Sequence, residues 1–199
     1  MQHADNQFKE LFADIAQGSK SAFSSLFRTQ YKSFVSFAKS YVADKADAEE
    51  IVSDAFVWIW LHRDELGSVE KPAIYLFVMV KNRCINTLRD LSRFESLDEY
   101  PVSIETKHDS PLEKIEYNEL ATKLYAIIDT LPNQQKRIFR MVKENGLSAK
   151  QTAEILELSP RTVETHLYKA IRKLEEEITR YLGYFPKRKQ LYKMLGILW

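Results

Sequence analysis

Few side chains in this chain of 199 residues could carry covalent or metal chemistry. Cys84 is the single cysteine, and next to Arg83 it could be an activated thiol. It falls, however, in the apolar stripe of a helical pattern, where a buried and inert cysteine is expected. The four histidines, His3, His62, His108 and His166, share no metal-ligand spacing. No glycine-rich phosphate loop and no nucleophile motif is present. The expectation is therefore no catalytic residue, no metal site, no cofactor and no small-molecule substrate, and a function carried by binding surfaces.

The most informative surface lies in Leu147–Leu167, which has the grammar of a helix-turn-helix. Ser148 can cap a short helix, Ala153 is small enough for a close helix crossing, Glu157-Leu158 is the turn, and Ser159 with Pro160 caps and opens a second helix. Ile155, Leu158, Val163, Leu167, Ala170, Ile171 and Leu174 are spaced to lock the two helices together. Arg161, Thr162, Glu164, Thr165, His166, Lys169 and Arg172 are left facing outward. From Ser159 to Lys173 the second helix carries a local charge of +3 on a chain whose net charge is +1. Short polar groups at its start and cations further along fit a helix that reads base edges in a major groove and holds phosphates.

The helix predicted over Ala46–His62 is apolar on too many sides for a simple amphipath. Ile51, Val52, Ala55, Phe56 and Ile59 form a core stripe, while Val57, Trp60 and Leu61 share another face with Glu50, Ser53 and Asp54. Carboxylates grading into Trp and Leu suit a protein docking surface, unless neighbouring helices of the same domain cover the aromatics. The polar loop Asp64–Lys71, with Ser68 and Lys71, precedes a helix that shows Tyr75, Met79, Asn82, Arg83, Asn86 and Arg89 outside its core stripe. Aromatics, amides and arginines together suit unstacked bases and backbone phosphates.

The elements that must position these residues are all helical. Glycine and proline number 5 and 6, hydrophobic residues make up 45%, and no sustained alternation marks a strand, which excludes disordered, collagenous and β-rich classes. Helices are predicted over Phe8–Gln17, Ser21–Val42, Asp47–Asp64, Pro72–Leu91, Leu112–Thr130, Asn133–Glu144, Ser148–Leu156 and Ser159–Leu182, with Ile74, Phe77, Val80, Ile85 and Leu88 apolar in the fourth. The stretch Arg93–Asn118 carries a net −4 and both Pro101 and Pro111, and it reads as a linker between two small domains. The boundaries are 1–92, a linker over 93–111, a second domain over 112–182, and a basic amphipathic tail over 183–199 with Lys187, Arg188, Lys189 and Lys193 unopposed. The polar N-terminus, the lack of an 18-residue apolar run and the lone cysteine lead to an expectation of a cytoplasmic protein, monomeric when free.

Taken together the two halves resemble an extracytoplasmic-function sigma factor of the sigma-70 family. The resemblance covers roughly residues 8–182. It rests on Tyr41-Val42-Ala43-Asp44, Ala48-Glu49-Glu50-Ile51-Val52-Ser53-Asp54-Ala55-Phe56, Trp60, Lys81-Asn82-Arg83-Cys84-Ile85-Asn86 and Leu131-Pro132 ahead of the helix-turn-helix. It implies core RNA polymerase and promoter DNA as partners, with an anti-sigma factor as a further candidate. Glu50, Ser53, Asp54, Val57, Trp60 and Leu61 would bind polymerase. Ser68, Lys71, Tyr75, Asn82, Arg83 and Asn86 would meet the −10 element. Arg161, Thr162, Glu164, Thr165, His166, Lys169 and Arg172 would read the −35 element. Two departures from the family pattern are a −10 helix less basic than in many members and a tail beyond the usual end. The competing reading is a two-domain regulator with a LuxR-like helix-turn-helix that does not act as a sigma subunit.

Overall fold

The computed structural model describes residues 2–94 and 123–183, all of whose regular elements are helical. Most of the expected linker and the basic tail fall outside the described residues. Two compact units divide the chain; among the described residues the first has four α-helices and a 3-10 helix ahead of the linker, and the second four α-helices and a π turn after it.

In the first unit, α1 (Gln2–Ala16) stops at Gly18, whose φ of 85° places it in the left-handed region that side chains avoid. The Gly18 amide donates to the Ile15 carbonyl at 2.8 Å and the Ser19 amide to that of Asp14 at 3.0 Å, which satisfies the helix end. Ser19 then caps α2 (Lys20–Ala38), its hydroxyl accepting from the Ala22 amide at 3.2 Å. α2 ends four residues before the expected Val42. The Ser40 hydroxyl donates to the Phe37 carbonyl at 2.6 Å, and the chain leaves the helix through the turn this bond supports. Asp44 caps α3 (Lys45–Leu61) through the Ala46 amide.

A 3-10 helix, Arg63–Ser68, replaces part of the polar loop expected there; buried Leu66 anchors it, and it packs on α1. α4 (Pro72–Phe94) opens on its proline and buries Ala73, Leu76, Phe77, Val80 and Cys84. Ile85 and Leu88, placed by sequence in the same stripe, are 45% and 40% exposed. Ile85 is rotated about 100° from Cys84, and Leu88 lies a full turn beyond the last buried residue.

Phenylalanines fill the core between these helices. Phe34 and Phe37 of α2 meet Phe77 of α4 at 4.7 and 5.1 Å between ring centroids. Phe56 of α3 collects Phe23, Phe27, Tyr31 and Phe34 within 6.3 Å. Most of these pairs are edge-to-face, an arrangement that adds about 0.5–1.5 kcal/mol per pair to the burial itself.

The second unit has α5 over residues 123–129, α6 (Asn133–Phe139), a π-helical turn (Arg140–Glu144), α7 (Ala149–Leu156) and α8 (Pro160–Leu182). Leu124, Ile127, Ile128 and Leu131 pack with Phe139 against Ala170, Leu174 and Ile178 of α8. The π turn replaces the last turn of the α-helix expected there. Its wider ladder is closed where the Asn145 backbone and side-chain amides both donate to the Arg140 carbonyl at 3.0 Å.

Candidate functional site

Three surfaces carry the residues singled out by sequence. On α3, Glu50 and Asp54 are exposed, and Val57 and Leu61, one turn apart, are 55% and 65% exposed and form one small apolar patch. Their opposite faces are spoken for: Ile51, Val52, Ala55, Phe56 and Ile59 are buried. Two other members of this set are partly committed inside the domain. The Ser53 hydroxyl donates to the Glu49 carbonyl at 2.7 Å and lies 3.3 Å from the Tyr31 hydroxyl. Trp60 is half-buried, with Phe23 at 5.1 Å and the Arg63 guanidinium 5.1 Å from its ring. Intradomain packing thus engages Ser53 and Trp60 of this set, while Val57 and Leu61 stay exposed. Phe27, 38% exposed and 4.7 Å from the Tyr31 ring, belongs to the aromatic group beside this face, and no helical pattern in α2 alone distinguished it from core.

The second surface lies on the 3-10 turn and α4. Ser68 is exposed, its hydroxyl donating to the Glu65 carbonyl at 2.8 Å, and Lys71 is exposed as well. Tyr75, Asn82, Arg83 and Asn86 lie along α4 with Met79, and the Trp58 ring of α3 is 6.2 Å from that of Tyr75. Burial, with the Glu65 charge adding to it, raises the Tyr75 hydroxyl above the usual phenol range, so the group is a neutral donor and acceptor. Asn82 and Asn86 are exposed, and the Asn86 carbonyl oxygen accepts from Arg89 at 3.3 Å. Trp58 was missed by sequence because Trp60, two residues on, drew the aromatic argument. Its turn-to-turn spacing from Asp54 and Leu61 gives no sign that Tyr75 of α4 lies beside it.

The third surface is the exposed face of α8. Ser148 and Gln151 form a reciprocal cap at the start of α7, the Gln151 amide donating to the Ser148 hydroxyl at 3.1 Å and the Ser148 amide to the Gln151 side-chain oxygen at 2.8 Å. In the turn, Glu157 has a φ of 58°, a left-handed conformation carried here by a residue with a Cβ. Ser159 caps α8, accepting from the Thr162 amide at 3.0 Å, and Pro160 opens it. Arg161, Glu164, Thr165, Lys169 and Arg172 are exposed on the resulting face. The Thr162 hydroxyl is 2.8 Å from that of Ser159 and is engaged in the cap. His166 is half-buried and its Nδ1 is enclosed without a hydrogen-bond partner. Tyr168, which sequence reasoning passed over, is 62% exposed on the same side, three residues after Thr165 and four before Arg172.

Among the described residues no group of histidine, cysteine and carboxylate side chains could hold a metal ion, and no helix is long and apolar enough to cross a membrane. Residues 26–94 match the family model for Sigma-70 region 2, and residues 121–174 that for Sigma-70, region 4. The chain belongs to the sigma-70 family. Its relatives include the RNA polymerase sigma factor NccH of Alcaligenes xylosoxydans xylosoxydans, 23% identical over 80% of this chain and 88% of the relative. The RNA polymerase sigma-E factor of Streptomyces avermitilis is 24% identical over 82% and 89%. Among solved structures, CnrH in complex with the cytosolic domain of CnrY matches with a TM-score of 0.54 at 22% identity, covering 89% of this chain and 98% of that one. The sigma factor RpoE in complex with the anti-sigma factor NepR from Bartonella quintana matches with a TM-score of 0.55 at 17% identity, covering 79% and 96%.

This sigma factor is of the extracytoplasmic-function type, associates with core RNA polymerase and directs promoter recognition and transcription initiation. The LuxR-like regulator reading is not favoured, since it leaves the sigma region 2 match of the N-terminal half without a role. The relatives are sigma factors, which are not enzymes.

Proposed function

We propose that the three surfaces divide the work of initiation. The α3 face of Glu50, Asp54, Val57 and Leu61, extended by Trp60 and Ser53, binds core polymerase. Ser68 and Lys71 with the Tyr75, Asn82, Arg83 and Asn86 face hold the melted −10 strand. Arg161, Thr162, Glu164, Thr165, His166, Lys169 and Arg172 on α8 engage duplex −35 DNA, with residues near the helix start reading bases and later cations holding phosphates. The observation that supports the polymerase assignment is the joint exposure of Val57 and Leu61, one turn apart, on a helix whose Ile51, Val52, Ala55, Phe56 and Ile59 are buried. Two aliphatic side chains left in water beside two carboxylates are a cost that association with a partner removes.

The chain acts by binding alone, as a cytoplasmic protein that is monomeric when free. Two of its structural neighbours are sigma factors seen with CnrY and with the anti-sigma factor NepR, which supports a protein of that kind as a partner here. Charge reversal at Glu50 and Asp54, combined with Leu61→Asp, tests the polymerase face. Binding to core polymerase is expected to fall at least about tenfold, equal to about 1.4 kcal/mol, with helicity by circular dichroism unchanged. Native affinity in the triple variant would overturn the assignment.

A further inference from the structure

The carboxylates of α8 are not all used alike. Glu176 is tied to Arg172 at 3.0 Å and Glu177 to Arg180 at 2.8 Å, pairs that close within the helix itself. Glu164, near the start of the same helix, is exposed and, among the described residues, its carboxylate has no ion pair or hydrogen bond. Arg161, one turn earlier, is exposed as well, and no ion pair joins the two although their spacing allows one. They stand about 60° apart round the helix and about 4.5 Å apart along it. The hydroxyls between and beside them are engaged. That of Thr162 lies 2.8 Å from the Ser159 hydroxyl in the cap, and that of Thr165 donates to the Arg161 carbonyl at 2.8 Å, which spends its proton inside the helix. One full positive and one full negative charge thus stand uncommitted side by side at the start of α8.

We propose that Glu164 selects a cytosine in the −35 element, its carboxylate accepting from the N4 amino group in the major groove, with Arg161 on the acceptors of a guanine in the same or the adjoining base pair. This rests on the reading of the α8 face as the seat of duplex −35 DNA. A carboxylate among exposed cations repels every phosphate, so it weakens DNA binding in general unless a base edge offsets the repulsion. The four bases differ in whether they can. Guanine presents only acceptors there, thymine an acceptor and a methyl group, and adenine sets its N7 acceptor beside its amino group. Cytosine is the base whose major-groove edge carries a donor and no acceptor. Its guanine partner brings O6 and N7, the acceptors that suit a guanidinium. A rise of about 4.5 Å between the two residues, against about 3.4 Å per base-pair step, keeps both contacts within neighbouring pairs.

The test is a selection of promoter DNA by holoenzyme reconstituted from the full chain and core polymerase, with the −35 region randomised, followed by affinity measurements on selected and non-specific duplexes. With the native chain, one −35 position is expected to favour cytosine, counted on either strand, over each other base by about five- to a hundredfold. Glu164→Ala brings that preference below about twofold. Glu164→Gln, whose amide pairs with adenine N6 and N7, moves it toward adenine, and the other positions keep their preferences in both variants. Both variants bind non-specific duplex more tightly than the native chain, because a repulsive charge is gone, which separates lost choice from lost fold. Unchanged preferences in both variants, with affinity raised equally for every sequence, mark a merely solvated charge and overturn the proposal, as does weaker binding of both variants to every duplex. Failure of the underlying reading looks different: Arg161→Ala, Glu164→Ala and Lys169→Ala all leave the selected −35 sequence and the non-specific affinity as they are in the native chain.

Discussion

Phe23 of α2 holds its ring 5.1 Å from that of Trp60 on α3, so one aromatic side chain belongs both to the packing of the first unit and to the surface we propose for polymerase. Trp60→Ala is therefore expected to lower stability by about 1–3 kcal/mol, less than truncating a fully buried ring because Trp60 is half-buried, as well as weaken polymerase binding. Leu61→Asp, on a side chain 65% exposed, should weaken binding with stability changed by no more than about 0.5 kcal/mol. Urea unfolding beside a polymerase-binding titration separates the two effects, and a stable Trp60→Ala protein would place Trp60 wholly in the interface.

Asp129 and Arg140 tie α5 to the π turn through a 2.8 Å bond between the Asp129 carboxylate and a guanidinium that is almost entirely buried. Asp129→Asn removes the compensating charge, and the second unit is expected to lose about 1.5–3 kcal/mol. Amide hydrogen exchange of α6 and α8 would report it. Exchange rates equal to native would show that the carboxylate contributes nothing to holding the arginine.

Glu157 is held at a φ of 58° in the turn between α7 and α8, a region that costs a residue with a Cβ about 1–2 kcal/mol. Part of that gain is returned by the greater freedom of glycine when unfolded, so Glu157→Gly should stabilise the second unit by about 0.5–1 kcal/mol. A lowered melting temperature would show that the carboxylate contributes more than the strained backbone costs.

On α8, Arg161→Ala is expected to change the preferred −35 sequence in a promoter-library selection. Lys169→Ala should weaken binding to all sequences alike and flatten the salt slope by about one. His166, half-buried with its Nδ1 enclosed, should affect folding of the second unit more than sequence choice. Sequence preferences that follow Lys169 and ignore Arg161 would reverse this division.

Losing the Ser159 cap is expected to cost about 1 kcal/mol, because the Thr162 amide it serves has no other helical acceptor at that position. Ser159→Asp, which keeps an acceptor oxygen, should restore most of that stability. Melting curves for the two variants that coincide would remove the cap from the list of determinants.

Local chemistry made much of this fold legible in advance. Ser148, Ser159 and Pro160 announce their helix starts because capping needs only a residue and its next turn, and the α3 core stripe from Ile51 to Ile59 is a matter of period. The features that escaped depend on neighbours far along the chain. Whether Ile85 and Leu88 are covered depends on where α4 outruns its partners. Trp58 gains its setting from Tyr75, seventeen residues on, and the π turn at Arg140 has no periodic signature of its own. In the second unit, the exposed face of α8 was readable from spacing, whereas the withdrawal of Thr162 into the cap and of His166 toward the interior needed the rotamers.

α8 runs unbroken for 23 residues, roughly 34 Å, from the Ser159 cap to Gly183. Its first turns carry Arg161, Glu164 and Thr165, and its later turns bury Leu174 and Ile178 in the core. On the proposed assignment, recognition and scaffold are written on one rod but on different sides of it. Evolution can redraft the promoter address by changing outward positions one at a time, without disturbing the packing that holds the rod. A family of such factors can diversify what it transcribes far faster than it diversifies its shape, and duplicated copies can part company by a few exposed residues.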